Sequence, residues 1–179
     1  MDKIGVFCSA TEDLPAHYRE AAAAFGQWLG ERHKTLVYGG SSRGLMGDMG
    51  RACHAAGGQL YGMVPFILEE RGWVEPDLDV TFPCEGLTDR KELMMLESEA
   101  FVALPGGIGT LDEVFTVLGQ ASIGLAQKRV FLLNLDGFYD TLIAFLQELA
   151  DKAFVRQPLD AYFMVARSVD ELVKLMEEK

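Results

Sequence analysis

The stretch Ala100-Phe101-Val102-Ala103-Leu104-Pro105-Gly106-Gly107-Ile108-Gly109-Thr110-Leu111-Asp112-Glu113 decides the fold. An apolar run of strand length meets Pro-Gly-Gly, and a helical pattern begins directly after it. Gly106, Gly107 and Gly109 let a backbone pass close to a ligand and take up angles that other residues resist. The helix expected from about Thr110 turns unpaired N–H groups and the positive end of its dipole back on that turn. Strand, glycine turn and helix N-terminus together form an anion site, most often for a phosphate. Thr110-Leu111-Asp112-Glu113 also has the spacing of a capping box, in which Glu113 only satisfies the start of its own helix, worth about 1 kcal/mol. On the residues alone Glu113 reads both ways, as a cap and as a catalytic carboxylate.

The same alternation of strand and helix extends outward in both directions. Lys3 to Cys8 reads as a buried strand that ends in the polar loop Ser9-Ala10-Thr11-Glu12-Asp13. A helix is expected from Pro15, at a first-turn position, to Arg32, with Tyr18, Ala22, Phe25, Trp28 and Leu29 on one face. Thr35-Leu36-Val37-Tyr38 is a second strand that runs into another glycine-rich turn, Gly39-Gly40-Ser41-Ser42-Arg43-Gly44-Leu45-Met46-Gly47. Helix Leu45 to Ala56 stops at Gly57-Gly58, and strand Gln59 to Val64 is closed by Pro65. From Phe66 to Pro76 the chain reads as an irregular charged loop over a site, followed by a short strand from Leu78 to Phe82. Helix Leu87 to Glu99 leads into the central strand. Beyond it come helix Thr110 to Ala126, strand Arg129 to Asn134, an Asp136-Gly137 turn and helix Tyr139 to Lys152. A last strand, Tyr162 to Ala166, precedes a terminal helix capped by Ser168.

The strands are continuously apolar rather than alternating, the pattern of a mostly parallel sheet covered on both faces. The expected architecture is a Rossmann-like, doubly wound α/β fold, with residues 1–179 forming a single domain. In such a sheet ligands bind beyond the carboxyl ends of the strands, near the switch point. Ser9, Gly39-Gly40 and Gly106-Gly107 all fall on that edge and are candidate ligand contacts.

Composition narrows the partners. A net charge of −11 argues against broad contact with nucleic acid or an anionic membrane, so a phosphate ligand must be held locally by amides and one or two cations. Cys8, Cys53 and Cys84 form no C-x-x-C pair, and His17, His33 and His54 show no ligand spacing. No metal or other cofactor is expected. Scattered cysteines, an N-terminus that reads as a strand, and the absence of an apolar run of spanning length lead to a soluble, cytoplasmic expectation. The glycine turns match neither G-x-G-x-x-G nor a Walker A loop, and there is no G-x-S-x-G elbow. Hydride transfer, ATP hydrolysis and serine hydrolysis are thereby disfavoured.

A polar cluster, Thr88-Asp89-Arg90-Lys91-Glu92, opens the helix before the central strand. Two adjacent cations there oppose the helix dipole at a cost of about half a kcal/mol. Either the turn is solvated, with Asp89 and Glu92 offsetting the charge, or Arg90 or Lys91 faces a phosphate or sugar hydroxyl.

Pro105-Gly106-Gly107-Ile108-Gly109-Thr110-Leu111-Asp112-Glu113 matches P-G-G-x-G-T-x-x-E. With Arg90-Lys91, Gly39-Gly40…Gly44-Leu45-Met46-Gly47 and Leu132-Leu133-Asn134-Leu135-Asp136-Gly137-Phe138-Tyr139, the chain resembles the LONELY GUY family. Its members are cytokinin riboside 5′-monophosphate phosphoribohydrolases, long labelled possible lysine decarboxylases. The resemblance implies hydrolysis of the N-glycosidic bond of a nucleoside 5′-monophosphate, with Arg90 and Glu113 catalytic. It implies phosphate binding by Gly106, Gly107, Gly109 and Thr110, substrate binding by Lys91, and a ligand contact from Glu70 or its neighbour Glu69. Where many relatives have M-H-x-R-K this chain has Leu87-Thr88-Asp89-Arg90-Lys91, and T-W-A-Q is replaced by Gly119-Gln120-Ala121-Ser122. The base is thus left open between adenine and a prenylated adenine. Apolar positions at Leu93–Leu96 and Val114–Leu125 exceed what one sheet face needs, so a homodimer is expected, with a purely intramolecular core as the alternative. The alternative is a non-catalytic nucleotide or molybdenum-cofactor carrier, which has no need of the Glu113 carboxylate. Lysine decarboxylation is rejected, because the chain is short for a pyridoxal-phosphate enzyme and no lysine suggests a Schiff base.

Overall fold

Seven strands form one sheet in a computed structural model that describes residues 1–125 and 127–178. They are β1 (Lys3–Phe7), β2 (Thr35–Tyr38), β3 (Gln59–Pro65), β4 (Val80–Cys84), β5 (Ala100–Ala103), β6 (Arg129–Leu133) and β7 (Met164–Ala166). The order across the sheet is β4-β3-β2-β1-β5-β6-β7, and every neighbouring pair is parallel. From β1 the chain winds outward to β4, returns to lay β5 beside β1 with Ile4 opposite Ala100, and then winds outward the other way. The switch point therefore lies between β1 and β5, as a doubly wound sheet requires.

Helices α1 (Ala16–Glu31), α2 (Gly44–Ala55) and α7 (Val169–Glu177) cover one face, and α4 (Leu87–Glu97), α5 (Ile108–Ser122) and α6 (Asp140–Asp151) the other. Successive strand residues serve opposite cores. Ile4, Val6, Val102 and Leu104 pack with Phe25, Leu29 and Met49, while Phe7, Phe101 and Ala103 pack with Met94, Val114 and Val117. Two apolar faces on one strand read as one continuous apolar run, which is why these strands show no alternation.

The segment expected to be irregular begins as a short helix, α3 (Phe66–Glu70). It continues as a strap tied to the second glycine turn. Trp73 C=O accepts from Ser42 N–H at 2.8 Å, Glu75 N–H donates to Gly40 C=O at 2.8 Å, and Ser41 bridges Val74. Leu78 is not in a strand. It packs against the first core while β4 starts at Val80, and Pro83 is tolerated there because β4 is an edge strand. Pro15 stands at the N-cap of α1 rather than inside its first turn. Helix α5 begins at Ile108 and ends at Ser122; the expected boundary at Ala126 lies outside the described residues.

Candidate functional site

A cavity of about 270 Å³ opens at the switch point, above the carboxyl ends of β1 and β5. Cys8 forms part of its lining, Ser9 and Thr11 supply one wall, Met46 from α2 another, and Gly107, Gly109 and Thr110 from α5 a third. Arg90 and Glu113 also line it.

The N-terminus of α5 borders this cavity through Gly107, Gly109 and Thr110. The helix is N-capped by Gly107 with no side-chain cap, and its first internal bond runs from Leu111 N–H to Gly107 C=O at 3.0 Å. The N–H groups of Ile108, Gly109 and Thr110 precede that bond and find no acceptor within the helix. The turn does not use its glycines for left-handed angles: Gly106, Gly107 and Gly109 all lie outside that region. Their value is the missing side chain. A Cβ on Gly107 or Gly109 would meet nothing within 4 Å, so those faces are open, whereas one on Gly106 would sit 2.0 Å from Thr110 Oγ1. Gly106 is the floor on which the Thr110 side chain rests.

The capping-box role does not form. With the N-cap at Gly107, Thr110 is a buried residue of the first turn and Glu113 lies a turn too far along to reach the N-cap amide. Glu113 instead forms an ion pair with the Arg90 guanidinium. Its side chain is 4% exposed and that of Arg90 12%. Burial pushes the Glu113 carboxyl above the usual glutamate value, and the Arg90 charge and hydrogen bond pull it back only in part. Cys8 is buried beside the pair, and burial pushes its thiol well above its ordinary value, so it stays protonated.

Arg90 reaches the cavity because Asp89 caps α4. Asp89 accepts from Glu85 N–H at 2.6 Å and Gly86 N–H at 2.8 Å, bonds that hold its carboxyl below the usual range. This is the offset to the two cations expected for a solvated turn, but both cations are also paired with carboxylates of α5. Lys91 Nζ lies 2.8 Å from Asp112 of α5, and Arg90 turns inward. Arg90 Nε is buried with no hydrogen-bond partner among the described residues, a donor left for a ligand oxygen.

Of the residues singled out by sequence, Ser9, Arg90, Gly107, Gly109, Thr110 and Glu113 are brought together around the cavity. Gly106 lies under Thr110. Gly39 borders Arg90, since a Cβ there would be 3.1 Å from Nη1, and Gly40, at φ 68°, takes the left-handed turn that docks the strap. Lys91 stands outside the lining, paired with Asp112. Glu69 and Glu70 are exposed on α3 and do not line the cavity either. Glu75 is the carboxylate of that segment that the fold buries. Its Oε2 has no hydrogen-bond partner among the described residues, and Arg51 Nη1 is 3.9 Å away. Its neighbours Pro76 and Asp77 concealed this. Cys8 and Met46 were also missed as lining, and only their positions at the ends of a strand and of a glycine turn pointed to them.

The fold and cavity define a doubly wound α/β protein in which a bare helix N-terminus, a buried carboxylate and a buried guanidinium line one small cavity. A family model described as "Possible lysine decarboxylase" matches residues 46–176. Over 176 residues the chain is 39% identical to a probable cytokinin riboside 5′-monophosphate phosphoribohydrolase of rice (Oryza sativa subsp. japonica), covering 98% of this chain and 72% of that protein. It is 36% identical to a cytokinin riboside 5′-monophosphate phosphoribohydrolase of Arabidopsis thaliana, covering 98% and 81%. The chain belongs to this LONELY GUY family. Among solved structures, the molybdenum cofactor binding protein of Rippkaea orientalis superposes with a TM-score of 0.74 at 24% identity, covering 98% of this chain and 94% of that one. The carrier protein from Chlamydomonas reinhardtii gives 0.74 at 21%, with the same coverage. At these identities the likeness is one of fold.

Proposed function

We propose that this protein hydrolyses the N-glycosidic bond of a nucleoside 5′-monophosphate, releasing the free base and ribose 5-phosphate. The observation that carries the reading is the buried Arg90–Glu113 pair in the wall of a cavity whose neighbouring wall is the open N-terminus of α5. The 5′-phosphate rests on the amides of Ile108, Gly109 and Thr110, where the dipole and unpaired donors favour negative charge. The ribose then lies along the first turn of α5, which brings its anomeric carbon toward Glu113.

Breaking the bond to that carbon develops positive charge on the ring. The ionised Glu113 stabilises this charge and orients or deprotonates the attacking water. Arg90 keeps Glu113 ionised despite its burial, fixes the carboxylate's orientation, and directs Nε to a ligand oxygen. No step calls for a metal. Lys91, Glu70, Gly39 and Gly40 belong to the outer part of the reading, since they border or lie beyond the cavity.

The names of the rice and Arabidopsis relatives support a cytokinin riboside 5′-monophosphate as substrate, and AMP is the plainer nucleotide to try beside it. A homodimer is supported by apolar side chains left on α4 and just past the end of α5, including Leu96 at 78% and Ile123 at 65% exposure. The three cysteines are unpaired and buried, which agrees with a reducing, cytoplasmic setting.

Incubating the purified protein with AMP and with isopentenyladenosine monophosphate, followed by chromatography for free base, tests the reading. Released adenine or isopentenyladenine is the expected result. Tight nucleotide binding with no base released from either would leave the carrier role suggested by the fold.

A further inference from the structure

A second cleft opens on the far side of Gly107. It holds about 270 Å³ between Leu14, Tyr18, Pro105 and Phe138. Ser9, Thr11 and Gly107 form an edge common to this cleft and to the cavity of Arg90 and Glu113. The walls are mainly apolar. Tyr18 and Phe138 meet edge to face, with ring centroids 5.8 Å apart and planes at 77°.

Phe138 keeps 42% of its surface exposed, and the chain holds it there firmly. It follows Asp136 and Gly137, both left-handed at φ 52° and 74°. Aspartate tolerates that region better than other non-glycine residues, and the Asp-Gly turn sets the direction in which Phe138 leaves it. Here His17 Nε2 stands 3.3 Å from Asp136 Oδ2 on one side. On the other, Tyr139 donates its hydroxyl to Leu104 C=O at 2.6 Å and its N–H to Asn134 Oδ1 at 2.7 Å. An aromatic ring fixed at the mouth of an apolar cleft, one glycine away from an anion site, is placed to receive a planar group.

We propose that this cleft takes an aromatic group esterified to the 5′-phosphate, so that the protein accepts nucleotide 5′-phosphodiesters, dinucleotides among them, as well as monophosphates. The inference rests on the phosphate position given above. A phosphate over the α5 amides sends one ester oxygen into the Glu113 cavity with the ribose. With two of its remaining oxygens on those amides, the third faces the shared edge, where Gly107 has no side chain and a Cβ would meet nothing within 4 Å. The free oxygens of a monoester want donors. The cleft beyond the edge offers instead Leu14, Pro105 and two aromatic rings, which suit an uncharged planar substituent. In the reaction the oxygen of water bonds to C1′, the C1′–N electron pair departs with the base, and the proton from water ends on that base. The phosphodiester stays whole and remains on the ribose product.

The test compares the phenyl and methyl 5′-phosphate esters of carbocyclic adenosine, which carry the same charge and cannot lose the base by this chemistry, by equilibrium dialysis. The phenyl ester is expected to bind about tenfold tighter to the wild-type protein. In Phe138→Ala, and in Tyr18→Ala as a second variant with its fold checked by circular dichroism, that ratio is expected to fall towards one. A ratio near one in the wild type, no binding of the phenyl ester, or a ratio unchanged in both folded variants would overturn the proposal. Adenine release from AMP is followed separately. Its absence would sink the hydrolase reading, while the ester ratio would still decide on the cleft.

Discussion

Lys91 on α4 lies 2.8 Å from each carboxylate oxygen of Asp112 on α5, and the next residue back on α4, Arg90, pairs with the next residue along α5, Glu113. Two successive cations thus meet two successive carboxylates, at different depths. The Asp112 side chain is 48% exposed, so the outer pair is screened and contributes modestly to stability. The inner pair is desolvated, where charge is costly to hold and strong once paired. The outer pair ties α4 to α5, and the inner pair faces the ligand cavity.

Glu113→Gln keeps the shape and a hydrogen-bond acceptor for Arg90 but removes the negative charge and the basic site. Under the proposed chemistry kcat for adenine release should fall on the order of 10²- to 10⁴-fold, with AMP affinity changed only about threefold or less. Steady-state kinetics with dialysis against AMP measures both. Full turnover in this variant would remove Glu113 from the mechanism.

Arg90→Gln moves the acid limb of kcat/KM. Burial already raises the Glu113 carboxyl, and Arg90 is its main counterweight, so loss of the guanidinium raises it further. The base form then appears only at higher pH, and the acid limb shifts up accordingly. Stability follows the same sign. A carboxyl raised in the folded state binds more protons there than in the unfolded chain, so its favourable contribution is present at low pH and lost as pH climbs through the folded value. The variant should therefore lose about 1–3 kcal/mol at neutral to mildly alkaline pH and less in acid. Adding Glu113→Gln should flatten that pH dependence. Urea titrations across pH, beside the pH–rate profile, check both parts; an unmoved acid limb would separate Arg90 from the ionisation of Glu113.

Neighbouring glycines in the anion turn should respond differently to alanine. At Gly106 the new methyl would stand 2.0 Å from Thr110 Oγ1, so the first turn of α5 must shift, costing about 1–3 kcal/mol. At Gly107 the φ is −93° and the methyl meets nothing, so stability should stay within about 0.5 kcal/mol. The methyl there occupies the space over the amides, and KM for AMP should rise instead. Thermal melts and kinetics on the two variants separate the floor of the site from its open face.

Much of this arrangement was legible beforehand because the physics is local. A parallel strand buried on both faces writes itself as an unbroken apolar run, and a strand-to-helix anion turn writes itself as clustered glycine. That was enough to bring Ser9, Gly107, Gly109, Thr110 and Glu113 to one edge. The departures arose where tertiary packing outranked local signals. Thr110 and Glu113 have capping-box spacing, but the helix starts at Ile108 because Gly107 caps it, which frees Glu113 for Arg90. Phe66–Glu70 is too short and charged to announce a helix, and Glu75 among Val74, Pro76 and Asp77 looks like surface until Gly40 C=O accepts its amide. Leu78 is apolar enough for a strand, yet it fills the space beside Gly62, where a Cβ would lie 2.6 Å from its Cδ1.

The exposed apolar face of α5 makes the last test. Phe115 is 42% and Ile123 65% exposed, and together with Leu118 and Phe154 they border a groove of about 330 Å³ whose lining is largely apolar. Leu96, on neighbouring α4, is 78% exposed. If two copies cover these faces through a two-fold axis, one substitution alters the interface twice. Ile123→Lys would then bury two unpaired ammonium groups, and the dimer dissociation constant should rise on the order of 100-fold, equivalent to about 3 kcal/mol. The monomer itself should keep its melting temperature to within about 2 °C, because Ile123 follows the last turn of α5 and is not in either core. Sedimentation equilibrium over a micromolar range reads the association directly. A wild-type protein that sediments as a monomer throughout that range would leave these side chains without a second copy to cover them.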